Sequence, residues 1–460
     1  MYSYIVRRLL LMVPTLLGIT LVVFVVMAAA PGGISAQSLI EGQNLEPQAK
    51  KAMEEYYNRL YGLDLPLPLQ YLRWLNNVSP VGFVFDEQND IAGFSFTKGS
   101  DLGMSFRYGR PVLDLIEERV PVTLLLNLLS LPVIYLLSIA IGVRAATQRG
   151  KSFDVTSGVV LLGLWSIPTM LAGVLLIGFF ASDQYWRWFP TAGLNRREAL
   201  DMPFLPHWSS LLDVLLLFTC MVIGLLLLVM LSRRGGRSLR TLLMTVLGAG
   251  LGWMMADSVR PEGIAPLHAL LLLAGAALFG TIGRSDYDAL RTGFMGCIGI
   301  GLGVGLAFHL MQGEFVRGFL LDRLWHLVLP VICFTYGGFA FLAKLMRTSV
   351  LENLMADYAR TARAKGLDEK EVLWVHVFRN SLLPLITVSA SLLPSLLAGS
   401  VIVESIFSID GMGKLAVEAV KGRDRELVLS ITLISGLLTL LSYLIADLCY
   451  AIADPRVSYE

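Results

Sequence analysis

The sequence predicts an all-α polytopic membrane protein with about ten spans, and three observations predict it. Charged residues make up 16% of the chain and apolar ones 55%, where a soluble domain carries about a quarter charged residues; mean hydropathy is +0.65. Ten stretches lack Asp, Glu, Lys and Arg over lengths near the roughly 17–25 residues that a helix needs to cross a bilayer. Basic residues gather in short segments between those stretches, the pattern that fixes orientation in a membrane. One apolar run could be a buried core helix; ten in one chain could not. The net charge of +1 gives no basis for nucleic-acid binding or for an acidic partner.

The ten stretches are Leu9–Ala30, Pro121–Val143, Val155–Ala181, Val214–Leu231, Thr241–Ala256, Gly263–Gly283, Thr292–Gly313, Leu324–Ala343, Ser381–Val403 and Leu427–Ala446. Thr241–Ala256 is the shortest. The first follows Arg7 and Arg8 and ends in "MAAAPG", as a signal peptide would, but its apolar run exceeds the roughly 7–15 residues of such a segment. It reads as a retained span. Residues 31–120 form a small external region, with helical character in "EPQAKKAMEEYYNRLYGL" and a second short helix after the prolines of "DLPLPLQYLRWL".

Basic short loops stay cytoplasmic. Arg7 and Arg8, Arg144–Asp154, Ser232–Arg240 and the segment around Arg347–Arg379 therefore lie inside, and both termini are predicted cytoplasmic. The alternation requires Thr241–Ala256 to count as a span. "YWRWFP" at Tyr185–Pro190 reads as an aromatic belt at the outer face. One segment resists the rule: Phe407–Glu426 should lie outside, yet it holds Lys414, Lys421, Arg423 and Arg425.

Catalytic and nucleotide-binding motifs are missing. "GMGKL" at Gly411–Leu415 has Ser408 where a phosphate loop needs its first glycine and Leu415 where it needs Ser or Thr. "GCIGIGLGVG" at Gly296–Gly305 lacks the glycine spacing of a dinucleotide fingerprint; Gly301 and Gly305 instead make a small-xxx-small pair suited to close helix packing. Cys220, Cys297, Cys333 and Cys449 all sit in apolar segments without metal-ligand spacing and read as small packing residues.

The most polar helical stretch between two spans is "DYARTARAKGLDEKEVLWVHVFRNSLLP", Asp357–Pro384. Leu351, Leu354, Met355, Tyr358 and Ala362 make one apolar stripe at helical spacing, with Glu352, Asp357, Arg360 and Arg363 opposite. Gly366 stands where a helix-terminating C′ glycine belongs. Asp368 and Glu371 have the spacing of a capping box for a second helix. The expectation is a basic, amphipathic helix–glycine–helix on the cytoplasmic side. It could fit a groove in a partner protein or lie against anionic lipid.

This stretch resembles the cytoplasmic coupling loop of oligopeptide/dipeptide-type ABC importer permeases, the inner-membrane components of binding-protein-dependent transport systems. In that wider family the loop reads E-A-A-x-x-x-G; here Arg360, Thr361 and Ala362 occupy the first positions and Gly366 the glycine. "YIVRRLLLMVPTLLGITLVVFVVMAAAPG", "YGLDLPLPLQYLRWL", "SDLGMSFRYGRPV", "WFPTAG", "VIVESIFSIDGMGKLAVEAVKGRD" and "DPRV" resemble other segments of the same branch, in order, over about residues 1–194 and 322–460.

The resemblance implies a six-helix permease core: a first helix (1–30), an external region (31–120), spans 2–3 (121–194), and spans 4–6 with a coupling loop at 347–380 (322–460). About four inserted spans (195–321) interrupt it; because four is even, the second half keeps its orientation. It also implies that the segment around Gly411–Lys421 is a partly buried outer element rather than a free loop. The implied function is half of a translocation path for peptides in the bacterial cytoplasmic (inner) membrane. Implied partners are a second homologous permease, two ABC ATPases that hold ATP and magnesium, and an extracytoplasmic substrate-binding protein, besides membrane lipid. This chain itself carries no cofactor and no catalysis. The implied coupling residues are Tyr358, Arg360, Thr361, Ala362, Ala364, Gly366 and Leu367. Glu404 and Asp447, the unusual acids of the core spans, are the candidates for solute contact. A stand-alone channel or secondary transporter is the alternative, but spans so poor in ionisable groups argue against it.

Overall fold

The computed structural model describes residues 2–30, 47–61, 63–85, 91–183, 185–208, 210–258, 265–311, 313–389 and 401–453. Among these, nine helices are long and apolar enough to cross a membrane, and a bent helix pair makes a possible tenth span. The chain divides into two compact units, residues 1–172 with 330–460, and residues 173–329.

The first unit begins with α1 (Tyr2–Ala29), then α2 (Pro47–Tyr61) and α3 (Leu67–Val78), the two short helices expected after the first span. Pro66 caps α3 with a backbone already set for a helix start. The sequence reading missed a two-stranded antiparallel ribbon, β1 (Gly82–Phe85) and β2 (Ile91–Ser95). Next comes α4 (Val112–Thr147).

The stretch expected as one span, Val155–Ala181, is instead two helices, α5 (Ser152–Ser166) and α6 (Thr169–Phe180), meeting at 96°. Pro168 is the cause: a residue before proline is pushed out of the helical region, and Ile167 is extended, φ −80°, ψ 121°.

The second unit is built on α7 (Leu211–Arg234), α8 (Arg237–Asp257), α9 (Ala265–Arg284) and α10 (Asp288–Leu310). The short α8 segment is thus a full 21-residue helix. A two-residue antiparallel ribbon, β3 (His207–Trp208) with β4 (Phe315–Val316), brackets these four helices in sequence. Helix α7 packs on α10 and α8 on α9, at glycines. A Cβ on Gly224 would lie 2.1 Å from the Gly299 carbonyl oxygen, and one on Gly248 would lie 2.2 Å from that of Gly275. Gly303 likewise abuts Cys220. The expected pair Gly301 and Gly305 meets nothing within 4 Å; the seam uses Gly299 and Gly303, one helical face away. Trp186 is also buried, stacked on Phe180 and donating from Nε1 to the Met255 carbonyl at 2.8 Å, so it is a packing residue rather than part of an exposed belt. Cys297 is exposed, unlike Cys220 and Cys333.

Helix α11 (Gly318–Met355) leads back into the first unit, followed by α12 (Asp357–Ala364), α13 (Glu369–Ser389), α14 (Val401–Ile406), α15 (Met412–Lys421) and α16 (Arg425–Ala453). Of the span expected at Ser381–Val403, residues 390–400 lie outside the described residues. One core cluster joins the start of α4 (Val112, Leu115, Ile116), α15 (Met412, Leu415, Ala419) and α16 (Leu427, Val428, Ile431). The anomalous basic segment is therefore packed rather than loose. Arg425 is buried against Glu426 and Gln70, and Lys414 and Arg119 both reach Asp410. Asp424 caps α16 through the Leu427 amide and accepts from Ser105 Oγ. Burial and the adjacent Glu418 push the Tyr108 phenol up to about 12. It stays a donor to Glu418 at any physiological pH and ties the 105–108 turn to α15.

Candidate functional site

A second core cluster seats the predicted hairpin. Val143 and Ala146 of α4, Met346 and Val350 of α11, Ala359 and Ala362 of α12, and Val372, Val377 and Leu385 of α13 are buried together. Helices α4 and α11 approach closely at Gly142, where a Cβ would lie 2.6 Å from Met346 Cβ and 2.8 Å from the Ala343 carbonyl. Ser349 Oγ donates to the Ser381 carbonyl at 3.1 Å, linking α11 to α13. Arg347 donates to Asp154 at 2.8 Å through Nη2 and joins α11 to α5. Only the packing of α5 brings Asp154 to Arg347, and no local pattern announced the pair.

The apolar stripe expected on one helix is divided. Helix α11 ends at Met355, Ala356 is extended (φ −69°, ψ 154°), and α12 starts at Asp357. The break turns Ala359 and Ala362 inward, while Met355 and Tyr358 are exposed. Tyr358 donates its hydroxyl to Asn353 Oδ1 across the break.

Gly366 closes α12 as expected. Its φ is +84°, a region that costs other residues about 1–2 kcal/mol. Its N–H donates to the Arg363 carbonyl at 2.9 Å, and the Leu367 N–H reaches back to the Ala362 carbonyl at 3.4 Å. These are the two bonds of a Schellman motif, and Leu367 packs on the cluster that holds Ala362, its usual hydrophobic companion.

The expected capping box does not form. Asp368 has the extended backbone of an N-cap but no side-chain cap bond. Arg363 instead bridges the corner, donating to Glu369 Oε1 at 2.7 Å and to the Leu354 carbonyl at 3.1 Å. The second helix is not short either. It continues through a π-helical turn, Val372–Val377, into the candidate span Glu369–Ser389.

The coupling candidates divide by exposure. Tyr358, Arg360, Thr361, Ala364 and Gly366 are exposed, Leu367 is half-buried and Ala362 is buried. Trp374 and Val375 add exposed apolar surface on α13.

Glu404 and Asp447 lie elsewhere. Glu404 is fully buried, and its carboxylate accepts from Thr123 Oγ1 at 3.1 Å and from the Lys414 amide at 2.9 Å. Thr123 Oγ1 in turn accepts from the Met412 amide at 2.9 Å. Together they cap the N-terminus of α15, where the N-cap is Gly411, without a side chain of its own. A Cβ on Gly411 would lie 2.5 Å from Glu404 Cδ. Glu404→Ala should destabilise the protein by about 2–3 kcal/mol, and Glu404→Gln by less; thermal unfolding in detergent checks both. A Glu404→Ala protein as stable as the parent would show that the cap contributes nothing. Asp447 accepts from Tyr4 at 2.7 Å and pairs with Arg8 at 2.8 Å, fastening α1 to α16.

Comparison with known proteins fits this arrangement. Residues 138–459 match the family described as "Binding-protein-dependent transport system inner membrane component", and residues 1–127 match its N-terminal companion. The chain is 30% identical to the oligopeptide transport system permease protein AppB of Bacillus subtilis (strain 168), covering all of both chains. It is 27% identical to the di/tripeptide transport system permease protein DppB of Pseudomonas aeruginosa (strain UCBPP-PA14), again over all of both. It is 25% identical to the peptidoglycan transport system permease protein YejB of Agrobacterium fabrum (strain C58 / ATCC 33970), over all of this chain and 99% of that one. Permeases of this kind work with ATPases and binding proteins and have no catalytic domain of their own. The chain belongs to the binding-protein-dependent transport system inner membrane components: it is a multi-pass inner-membrane permease of an ABC importer.

Proposed function

We propose that this permease carries peptides and that α12 is the element its ATPases grip. The observation that carries the coupling reading is the glycine corner: an eight-residue helix presents Tyr358, Arg360, Thr361 and Ala364 outward, while Ala362 and Leu367 anchor it inward. The Schellman turn and the Arg363–Glu369 pair make α12 and α13 one lever, and α13 runs on into a candidate span. An ATPase that holds α12 differently in its two nucleotide states would bias the spans between two conformations. The peptide reading rests on relatives named for oligopeptides and di/tripeptides, against one named for peptidoglycan.

The complete assembly has a second homologous permease, two ABC ATPases holding ATP and magnesium, and an extracytoplasmic substrate-binding protein. This chain needs no cofactor. Both termini are cytoplasmic, and residues 195–321 are an accessory membrane insert. Glu404 and Asp447 hold helices together rather than touch solute.

The test is co-purification of the tagged permease in mild detergent with its ATPases. Tyr358→Ala with Arg360→Glu, both exposed, should cut ATPase recovery at least several-fold while permease recovery holds. Undiminished ATPase recovery would place the grip elsewhere. Replacing the buried Ala362 would not separate coupling from folding.

A further inference from the structure

The end of the second unit where α7 stops and α8 starts, and α9 stops and α10 starts, carries six arginines and two aspartates. Arg233, Arg234, Arg237 and Arg284 are exposed. Arg240 and Arg291 are not: they are 9% and 4% exposed. A charge signal that only sets membrane orientation needs no burial, so these two require another explanation.

Both converge on Ser232, in the last turn of α7. Arg291 donates to the Ser232 carbonyl through Nη2 and to its hydroxyl through Nε, each at 3.0 Å, and Arg240 Nη1 reaches the same carbonyl at 3.2 Å. The negative end of the α7 dipole attracts one cation there. Two guanidiniums sharing one carbonyl oxygen repel each other, and little nearby offsets them. Asp288 pairs with Arg291 but is 85% exposed, and Asp286 reaches only the exposed Arg237, at 3.5 Å. Among the described residues Arg240 has no carboxylate partner, and its Nε is buried without an acceptor. A buried cationic donor left unfilled is costly.

We propose that this end of the bundle binds the headgroup of an anionic phospholipid. A phosphate held at the rim by the exposed Arg233, Arg234 and Arg284 would offset the two buried guanidiniums and, once the Arg240 side chain turns toward it, accept from Arg240 Nε. The occupant follows from charge and surroundings. Six arginines against two aspartates call for an anion. Leu226, Leu227 and Met230 of α7 and Leu239 and Leu242 of α8 are at least half exposed beside the site and offer an apolar wall for acyl chains. Basic sites between spanning helices take lipid headgroups on this principle.

The experiment is native mass spectrometry of the full-length permease titrated with phosphatidylglycerol or phosphatidylcholine. Wild type should retain phosphatidylglycerol at least fivefold better. Arg240→Gln, and separately Arg233→Gln with Arg234→Gln, should each reduce that preference at least threefold. The second variant alters exposed residues only, so it reads binding even if the first destabilises the bundle. Equal retention of the two lipids, or an unchanged preference in the Arg233/Arg234 variant, would overturn the proposal. Displacement of the lipid by millimolar inorganic phosphate would also overturn it, because the site would then select a soluble anion.

Discussion

Replacing Gly366 with valine should lower solute uptake at least tenfold while the ATPases go on hydrolysing ATP and the permease remains in the membrane. The effect is conformational. A Cβ at Gly366 would meet nothing within 4 Å, but φ is +84°, a conformation that a β-branched residue all but never adopts. Relaxing φ removes the Gly366–Arg363 and Leu367–Ala362 bonds together. It lifts Leu367 from the cluster and pulls Arg363 away from Glu369. Helix α12 would then swivel on its own instead of moving α13.

A graded series makes the argument strict. Asparagine tolerates the left-handed region and should be mildest, alanine intermediate, valine worst, following a strain of about 1–2 kcal/mol for an ordinary residue. Uptake of labelled substrate, ATP hydrolysis in proteoliposomes and permease abundance are measured together. Uptake near wild type for valine, or uptake falling only in proportion to abundance, would mean that the corner does not transmit motion.

The corner was legible because its signal is local: in "AKGLDE" the glycine is the residue type that commonly ends a helix, and it sits where the backbone turns left-handed. The break at Ala356 was not, because "LENLMADYAR" keeps helical periodicity with neither proline nor glycine, and the packing of Ala359 and Ala362 decides it. The capping box failed for a related reason, since Glu369 pairs with Arg363 across the corner. The count of spans could be read from apolar length alone. The 96° bend at Ile167–Pro168 was hidden inside an unbroken apolar run. Glu404 shows the limit most clearly: its partner Thr123 lies 281 residues away in sequence, so the acid stood out while its role as a cap did not.

Among the inserted helices, Gly224→Leu should be severe and Gly301→Leu silent, though both put the same side chain into a glycine-rich span. A Cβ at Gly224 would lie 2.1 Å from the Gly299 carbonyl oxygen and 3.0 Å from its carbon. Those are backbone atoms of α10, with no rotamer to move aside, so α7 and α10 must separate along the whole seam. Overpacking commonly costs about 1–3 kcal/mol, and rigid neighbours place this case at the upper end or beyond. Gly301 faces open space, where a leucine meets lipid and also removes the entropic cost of a helical glycine. Thermal unfolding and limited proteolysis in detergent should therefore show the second unit loosened by Gly224→Leu and unchanged by Gly301→Leu. Equal effects would refute the seam. The same pair tests the accessory role proposed for residues 195–321: Gly224→Leu should leave ATPase recovery through α12 intact, because the hairpin and its buried cluster lie wholly in the first unit.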